Sequence, residues 1–86
     1  MSYELITPKL FEKQLEALPK EVKLKAIEKI LALAEEPRPS GVSKLKGSEN
    51  EYRIRVGDYR VRYEIDDTKK MIILLHCRHR REVYRM

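Results

Sequence analysis

Four guanidinium groups fall within ten residues of this chain, in the segment YRIRVGDYRVRYE that runs from Tyr52 to Glu64. Arginine at this density suits one kind of chemistry. Its planar fork donates paired hydrogen bonds to phosphate or carboxylate oxygens. Whether the four act together depends on the backbone. Residues 52–56 and 59–65 each alternate apolar with charged, the period of a strand with one face in a core. Gly57-Asp58 between them suits a two-residue primed turn. That turn sets the register: Val56 faces Tyr59, Arg55 faces Arg60, Ile54 faces Val61, Arg53 faces Arg62 and Tyr52 faces Tyr63. Arg53, Arg55, Arg60 and Arg62 then form a square on one face. Like charges directly opposite each other cost a sheet roughly 0.2–1 kcal/mol per pair. A polyanion lying on that face turns the cost into binding energy. The alternative is a solvated face whose repulsion is screened within about 8 Å at cellular salt.

The tail HCRHRREVYRM is the second chemically dense stretch. It crowds Arg78, His79, Arg80, Arg81, Tyr84 and Arg85 beyond the last apolar run. It is either a functional segment or a solvated chain end, although Val83 and Tyr84 could dock it. His79 is the tail residue whose ordinary pKa suits an acid or base; an exposed turn histidine is the competing reading. His76, Cys77 and His79 resemble a metal cluster, but no second Cys/His group exists elsewhere and zinc takes three or four protein ligands. Adjacent strand residues also point to opposite faces. No metal site is expected. Cys77 reads as a small buried hydrophobe, the serines lack a triad, and the glycines lack phosphate-cradling spacing. No cofactor is expected.

The charge distribution agrees with the square. The 86 residues carry a net charge of +5. Residues 1–42 sum to zero, so the whole excess lies in residues 43–86, which hold eight of the nine arginines. Solubility alone is served by lysine, whereas arginine enrichment points to phosphate, carboxylate or base recognition. A single cysteine suits a reducing compartment. The start MSYELITPKL lacks the pattern of a secretory signal, and the longest apolar run, Met71 to Leu75, is far too short to span a bilayer. A cytoplasmic protein of one domain, residues 1–86, is expected.

The elements that must position these groups follow from periodicity. Residues 2–6 read as a short strand. Thr7 is expected as the N-cap of a helix with Pro8 at its first position. Leu10, Phe11, Leu15 and Leu18 fall on its apolar stripe. Pro19 can open a second helix, with Val22, Ala26, Ile27, Ile30, Leu31 and Ala34 as the stripe. EEPRPSG ends it, and the short break implies a helical hairpin. Met71 to Cys77, apolar on both sides, reads as a central strand. The expected fold class is α+β: a helical hairpin packed on one face of a small, mostly antiparallel sheet, with the arginine square on the uncovered face.

The stretch KLKGSENEYRIRVGDYRVRYEID, followed by HRREVYR, resembles the RelE/ParE superfamily of toxins from bacterial and archaeal toxin–antitoxin pairs, with HRREVY leaning toward the RelE branch. The resemblance covers nearly the whole chain and implies the order β-α-α-β-β-β. RelE-type members are endoribonucleases that cut messenger RNA in the ribosomal A site without a metal, silenced by an antitoxin. ParE-type members share the fold and poison DNA gyrase, and fold alone does not choose between them. The implied partners are a small acidic antitoxin, the ribosome and mRNA. A plain basic RNA-binding module is a third reading.

Carried onto this chain, the resemblance implies a functional face of Arg53 and Arg55, Arg60, a tail arginine and Tyr84. Arg80 is preferred and Arg78 fits the alternative spacing. Arg60 and Arg80 would stabilise the phosphorane, and Arg53 and Arg55 would hold flanking phosphates. Arg62, Lys44, Lys46 and Arg81 would add contacts. His79 is the default acid or base, and Tyr84 would stack on a base or else anchor the tail. Some relatives carry lysine where this chain has Arg53 and Arg55. Arginine stays protonated and makes a poor base.

Overall fold

The computed structural model describes residues 2–45, 47 and 50–83, the last two by backbone alone. The elements run β1 (Glu4–Ile6), α1 (Lys9–Glu16), α2 (Lys20–Leu33), β2 (Ser43–Lys44), β3 (Glu51–Val56), β4 (Tyr59–Asp66), β5 (Met71–His79) and α3 (Arg80–Val83). The five strands form one sheet in the order β1-β5-β4-β3-β2. Only β1 pairs in parallel, with β5; the other pairings are antiparallel. The α+β expectation holds, with two elements added: the two-residue edge strand β2 and the short α3. The apolar β5 is an interior strand as expected, between β1 and β4, and β4 is the middle one of the five.

Both long helices begin at prolines, one residue later than the sequence suggests. Pro8 and Pro19 are themselves the N-caps, in extended conformation, with no side-chain capping bond. Each proline carbonyl accepts the first helical hydrogen bond, from Glu12 N at 3.0 Å and from Lys23 N at 2.8 Å. Thr7 is therefore not the N-cap. A proline fits that half-in position because its missing N–H has no helical acceptor to lose.

The helices cover one face of the sheet. Phe11, Leu18, Ala26, Ile30 and Leu33 pack on Tyr52, Ile54, Val56, Val61, Tyr63, Ile65, Ile72, Leu74 and Cys77. Leu10 and Leu31, expected in the stripes, are 56% and 60% exposed. The buried face of α2 follows Ala26, Ile30 and Leu33, with Val22 partly buried against the core, and Leu31 sits about 100° round the helix from Ile30. Among the described residues, no helix is long and apolar enough to cross a membrane.

The β3–β4 hairpin has the register that its turn implies, from Val56↔Tyr59 to Tyr52↔Tyr63. Gly57 at φ 61° is its only positive-φ residue, which matches a turn with glycine first. The β4–β5 pairing is irregular. Arg62 faces His76 but Tyr63 faces Leu74, so Leu75 is an extra residue on β5. Such a bulge resets which face each following side chain takes. Cys77 therefore turns into the core, and His76 and Arg78 turn to the open side.

Candidate nucleic-acid interface

Three adjacent strands build the site, and the register supplies its geometry. Arg53 on β3, Arg62 on β4 and His76 on β5 form one row across the sheet. Arg55, Arg60 and Arg78 form the next row. Residues directly opposite share a face, and the core positions Ile54, Val61 and Cys77 lie between the rows on the other face. Strands stand about 4.8 Å apart, so the two rows of three fit within the span of two or three nucleotides. The arginine square expected from the hairpin is present, and β5 extends it by Arg78 and His76.

The like charges are partly offset within the protein. Arg62 Nη2 donates to Glu51 Oε2 at 2.7 Å, a half-buried ion pair on the same face. Arg60 Nη1 donates to the carbonyl of Tyr59 at 3.1 Å, which folds this side chain back toward the turn. Arg55 is exposed, whereas Arg53, Arg60, Arg62, His76 and Arg78 are half-buried. Two nitrogens in the first row, Arg62 Nε and His76 Nδ1, are covered by protein and bond to no described residue. Burial, then the neighbouring guanidinium groups of Arg78 and Arg62, push the His76 imidazole below its usual pKa, against a smaller opposing effect of Glu51. This ring is neutral at pH 7.

The tail is divided between the two sides of the sheet. Arg78 stands in the arginine rows. His79 faces Tyr59 and meets its ring edge-on at 5.2 Å between centroids, on the helix side. The backbone N–H of Arg81 donates to His79 Nδ1 at 3.2 Å, so that lone pair is occupied. The structure therefore does not bring His79 to the arginine face. Arg80 opens α3, its N–H donating to the Asp58 carbonyl at 2.7 Å, and Arg80 and Arg81 are exposed beside the hairpin turn. Lys44 pairs with Tyr52 and so shares the helix-side face, away from the arginines. Lys46 and Tyr84 lie outside the described residues. His76, Cys77 and His79 do not converge: the first is on the open face, the other two on the helix side.

His76 is the site residue that sequence reasoning missed. Simple alternation from the buried Ile72 and Leu74 puts it in the core, and only the extra residue reverses that. The available signal was the adjacency of two polar residues, His76 and Arg78, around one apolar one, which matches an open-face reading of that end of the strand.

The opposite end of the sheet is held by a separate cluster. Arg38 bridges to Asp67 at 2.8 Å, donates from Nε to Tyr52 Oη at 3.0 Å and lies over the Tyr52 ring. Tyr3 Oη donates to Asp67 at 2.7 Å, and Tyr63 Oη donates to the Pro37 carbonyl at 2.7 Å. These contacts tie the loop after α2 to β3, to β4 and to the turn between β4 and β5.

A mostly antiparallel five-stranded sheet with two helices packed on it is shared with known proteins. Residues 5–84 match the family described as ParE toxin of type II toxin–antitoxin system, parDE. The chain belongs to that family, within the RelE/ParE superfamily. Among solved structures, this toxin-family chain is similar to RelE in the archaeal RelE–RelB complex from Pyrococcus horikoshii, at 35% identity and a TM-score of 0.83, covering 93% of this chain and 97% of that one. It is similar to the Methanococcus jannaschii RelB–RelE antitoxin–toxin complex at 28% identity and a TM-score of 0.78, covering 92% and 94%. A mutant of the Escherichia coli toxin RelE in the free state matches at 26% identity and a TM-score of 0.81, covering 99% and 93%. A search of the curated proteins finds none that matches.

Proposed function

We propose that this toxin is a ribosome-dependent, metal-independent endoribonuclease that cuts messenger RNA in the A site. The observation that carries the reading is the joint placement of Arg53, Arg55, Arg60, Arg62 and Arg78 on the sheet face that the helices leave uncovered. Cleavage of RNA by its own 2′-hydroxyl passes through a crowded, doubly negative phosphorane, and fixed cations lower its energy. Arg60, with Arg78 or Arg80, suits that role. Arg53, Arg55 and Arg62 suit the flanking phosphates, and Tyr84 a stacked base. The ribosome would contribute by positioning the message, which reduces the demand on the toxin's own groups.

A small acidic antitoxin is the proposed partner, which would cover the basic surface. The Pyrococcus and Methanococcus relatives were solved as RelE–RelB complexes, which supports it. A second reading follows from the family description, which carries the name ParE: a gyrase poison with no chemistry of its own. Mapping RNA 5′ ends after a brief pulse of expression separates the two. Cuts in frame with codons support the ribonuclease; intact messages with DNA-damage signalling support the poison. Arg60→Ala and Arg80→Ala are expected to relieve growth arrest while the protein stays folded, with a loss of ~10²–10³ in cleavage rate for a removed charge stabiliser. Undiminished toxicity in either would remove that residue from the site.

A further inference from the structure

We propose that His76 is the general base of this site, taking the proton from the attacking 2′-hydroxyl. The inference rests on the ribonuclease reading above and adds a residue to it.

Chemistry at the platform needs a proton acceptor, and arginine has no lone pair to offer at any working pH. Of the six side chains in the two rows, His76 alone has one. Glu51 and Glu64 lie on the same face, but one row further from Arg60 and Arg78, and Glu51 is bound to Arg62 at 2.7 Å. His76 stands directly across from Arg62 and two residues from Arg78, which itself faces Arg60. A phosphate held by those arginines would therefore lie within reach of its ring.

The surroundings of His76 also control when it accepts a proton. On β4 it faces Arg62, with Arg60 in the row to one side and Glu64 in the row to the other. On β3, beyond β4, are Arg53 and Glu51. Arg78 follows on β5, and Arg80 and Arg81 stand at the start of α3. β1 ends before this row, since its pairs stop at Ile73. Burial first, then the guanidinium groups of Arg78 and Arg62, favour the uncharged imidazole in the empty site against the smaller opposing effect of Glu51, and the uncharged ring is the form a base requires. A bound phosphodiester offsets that positive field, and the phosphorane offsets it further. Proton transfer thus becomes more favourable as the negative charge develops.

The step balances without a cofactor. The 2′-oxygen forms a bond to phosphorus as its proton moves to the His76 imidazole. The bond from phosphorus to the 5′-oxygen breaks, and that oxygen takes a proton from water. The imidazolium then returns its proton to solvent. The products are a 2′,3′-cyclic phosphate and a 5′-hydroxyl end.

The test is single-turnover cleavage of a message on programmed ribosomes by the full-length toxin, from pH 5.5 to 8.5. The wild-type rate is expected to rise from acid pH and level off near neutrality, because the base must be unprotonated. His76→Gln should lower the plateau by ~10²–10⁴-fold and abolish the acid limb, with ribosome binding unchanged. His76→Asn serves as a second variant, with circular dichroism checking both folds. Cleavage by either folded variant at close to the wild-type rate, with the acid limb intact, overturns the inference and leaves the ribonuclease reading standing. No cleavage by the wild type overturns both. Independently of the variants, the His76 ring titrated by NMR in the wild type should show a midpoint below that of a free histidine. A midpoint above pH 7 would also overturn the assignment.

Discussion

Replacing Tyr63 by phenylalanine tests how the loop after α2 is fastened to the sheet. The Tyr63 ring has no solvent exposure, and its hydroxyl donates to the Pro37 carbonyl at 2.7 Å. Pro37 is itself buried. Phenylalanine keeps the ring and its stacking on Tyr52, whose centroid lies 6.0 Å away. What it removes is one donor, leaving a buried carbonyl unsatisfied. That loss costs about 1–3 kcal/mol. For a domain of this size the melting temperature should fall by roughly 5–20 °C. Urea titration is the assay, and the midpoint should drop with an unchanged slope, since the surface exposed on unfolding is the same. The alkaline limb gives a second readout. Burial pushes the Tyr63 phenol well above its ordinary pKa of about 10. The folded state then holds a proton that the unfolded chain gives up, so this contribution to stability is full below pH ~10 and lost as pH rises beyond it. Tyr63→Phe should flatten that loss. A midpoint equal to wild type, with the alkaline limb unchanged, would refute the assignment of this hydrogen bond.

Two further predictions concern the turns and the clasp. Hydrogen bonds from Arg38 and then Tyr3 hold the Asp67 carboxyl down at about 2. Its contribution is present above the unfolded value near 3.9 and disappears as pH falls through about 2. Urea midpoints of wild type and Asp67→Asn should therefore differ most above pH 5 and converge toward pH 2, and high salt should narrow the gap at this exposed pair. A Cβ added at Gly57 meets nothing within 4 Å, so the cost of Gly57→Ala is that of its backbone at φ 61°. Thermal melts should show a loss of about 1–2 kcal/mol for alanine and less for asparagine, which tolerates the left-handed region better. Equal stability of the alanine variant would contradict this turn geometry.

The surface reading and the core reading were legible to different degrees. The helices' inner faces were visible as stripes, yet Leu10 and Leu31 sat at their margins, where a 100° step decides between core and water. The edge strand β2 was not visible, because two residues carry no periodicity. Thr7 looked like a cap by residue type, but the proline carbonyls supplied the first helical bonds instead. Lys44 was grouped with the arginines by charge, and its pairing with Tyr52 turns it to the other face.

The amino-acid sequence by itself determined the arginine square. A two-residue turn leaves one register for the strands it joins, so every cross-hairpin pair from Tyr52 to Tyr63 followed from local pattern. The fate of the last strand was decided by the tertiary structure. A continuous apolar run offers no phase of its own, so Met71 to Leu75 carries no mark of where the faces change. Pairing with β4 leaves Leu75 as the extra residue, and that single insertion sends His76 and Arg78 to the platform and Cys77 and His79 to the helices. Because strand side chains alternate with a period of two, one unpaired residue is enough to exchange the two faces.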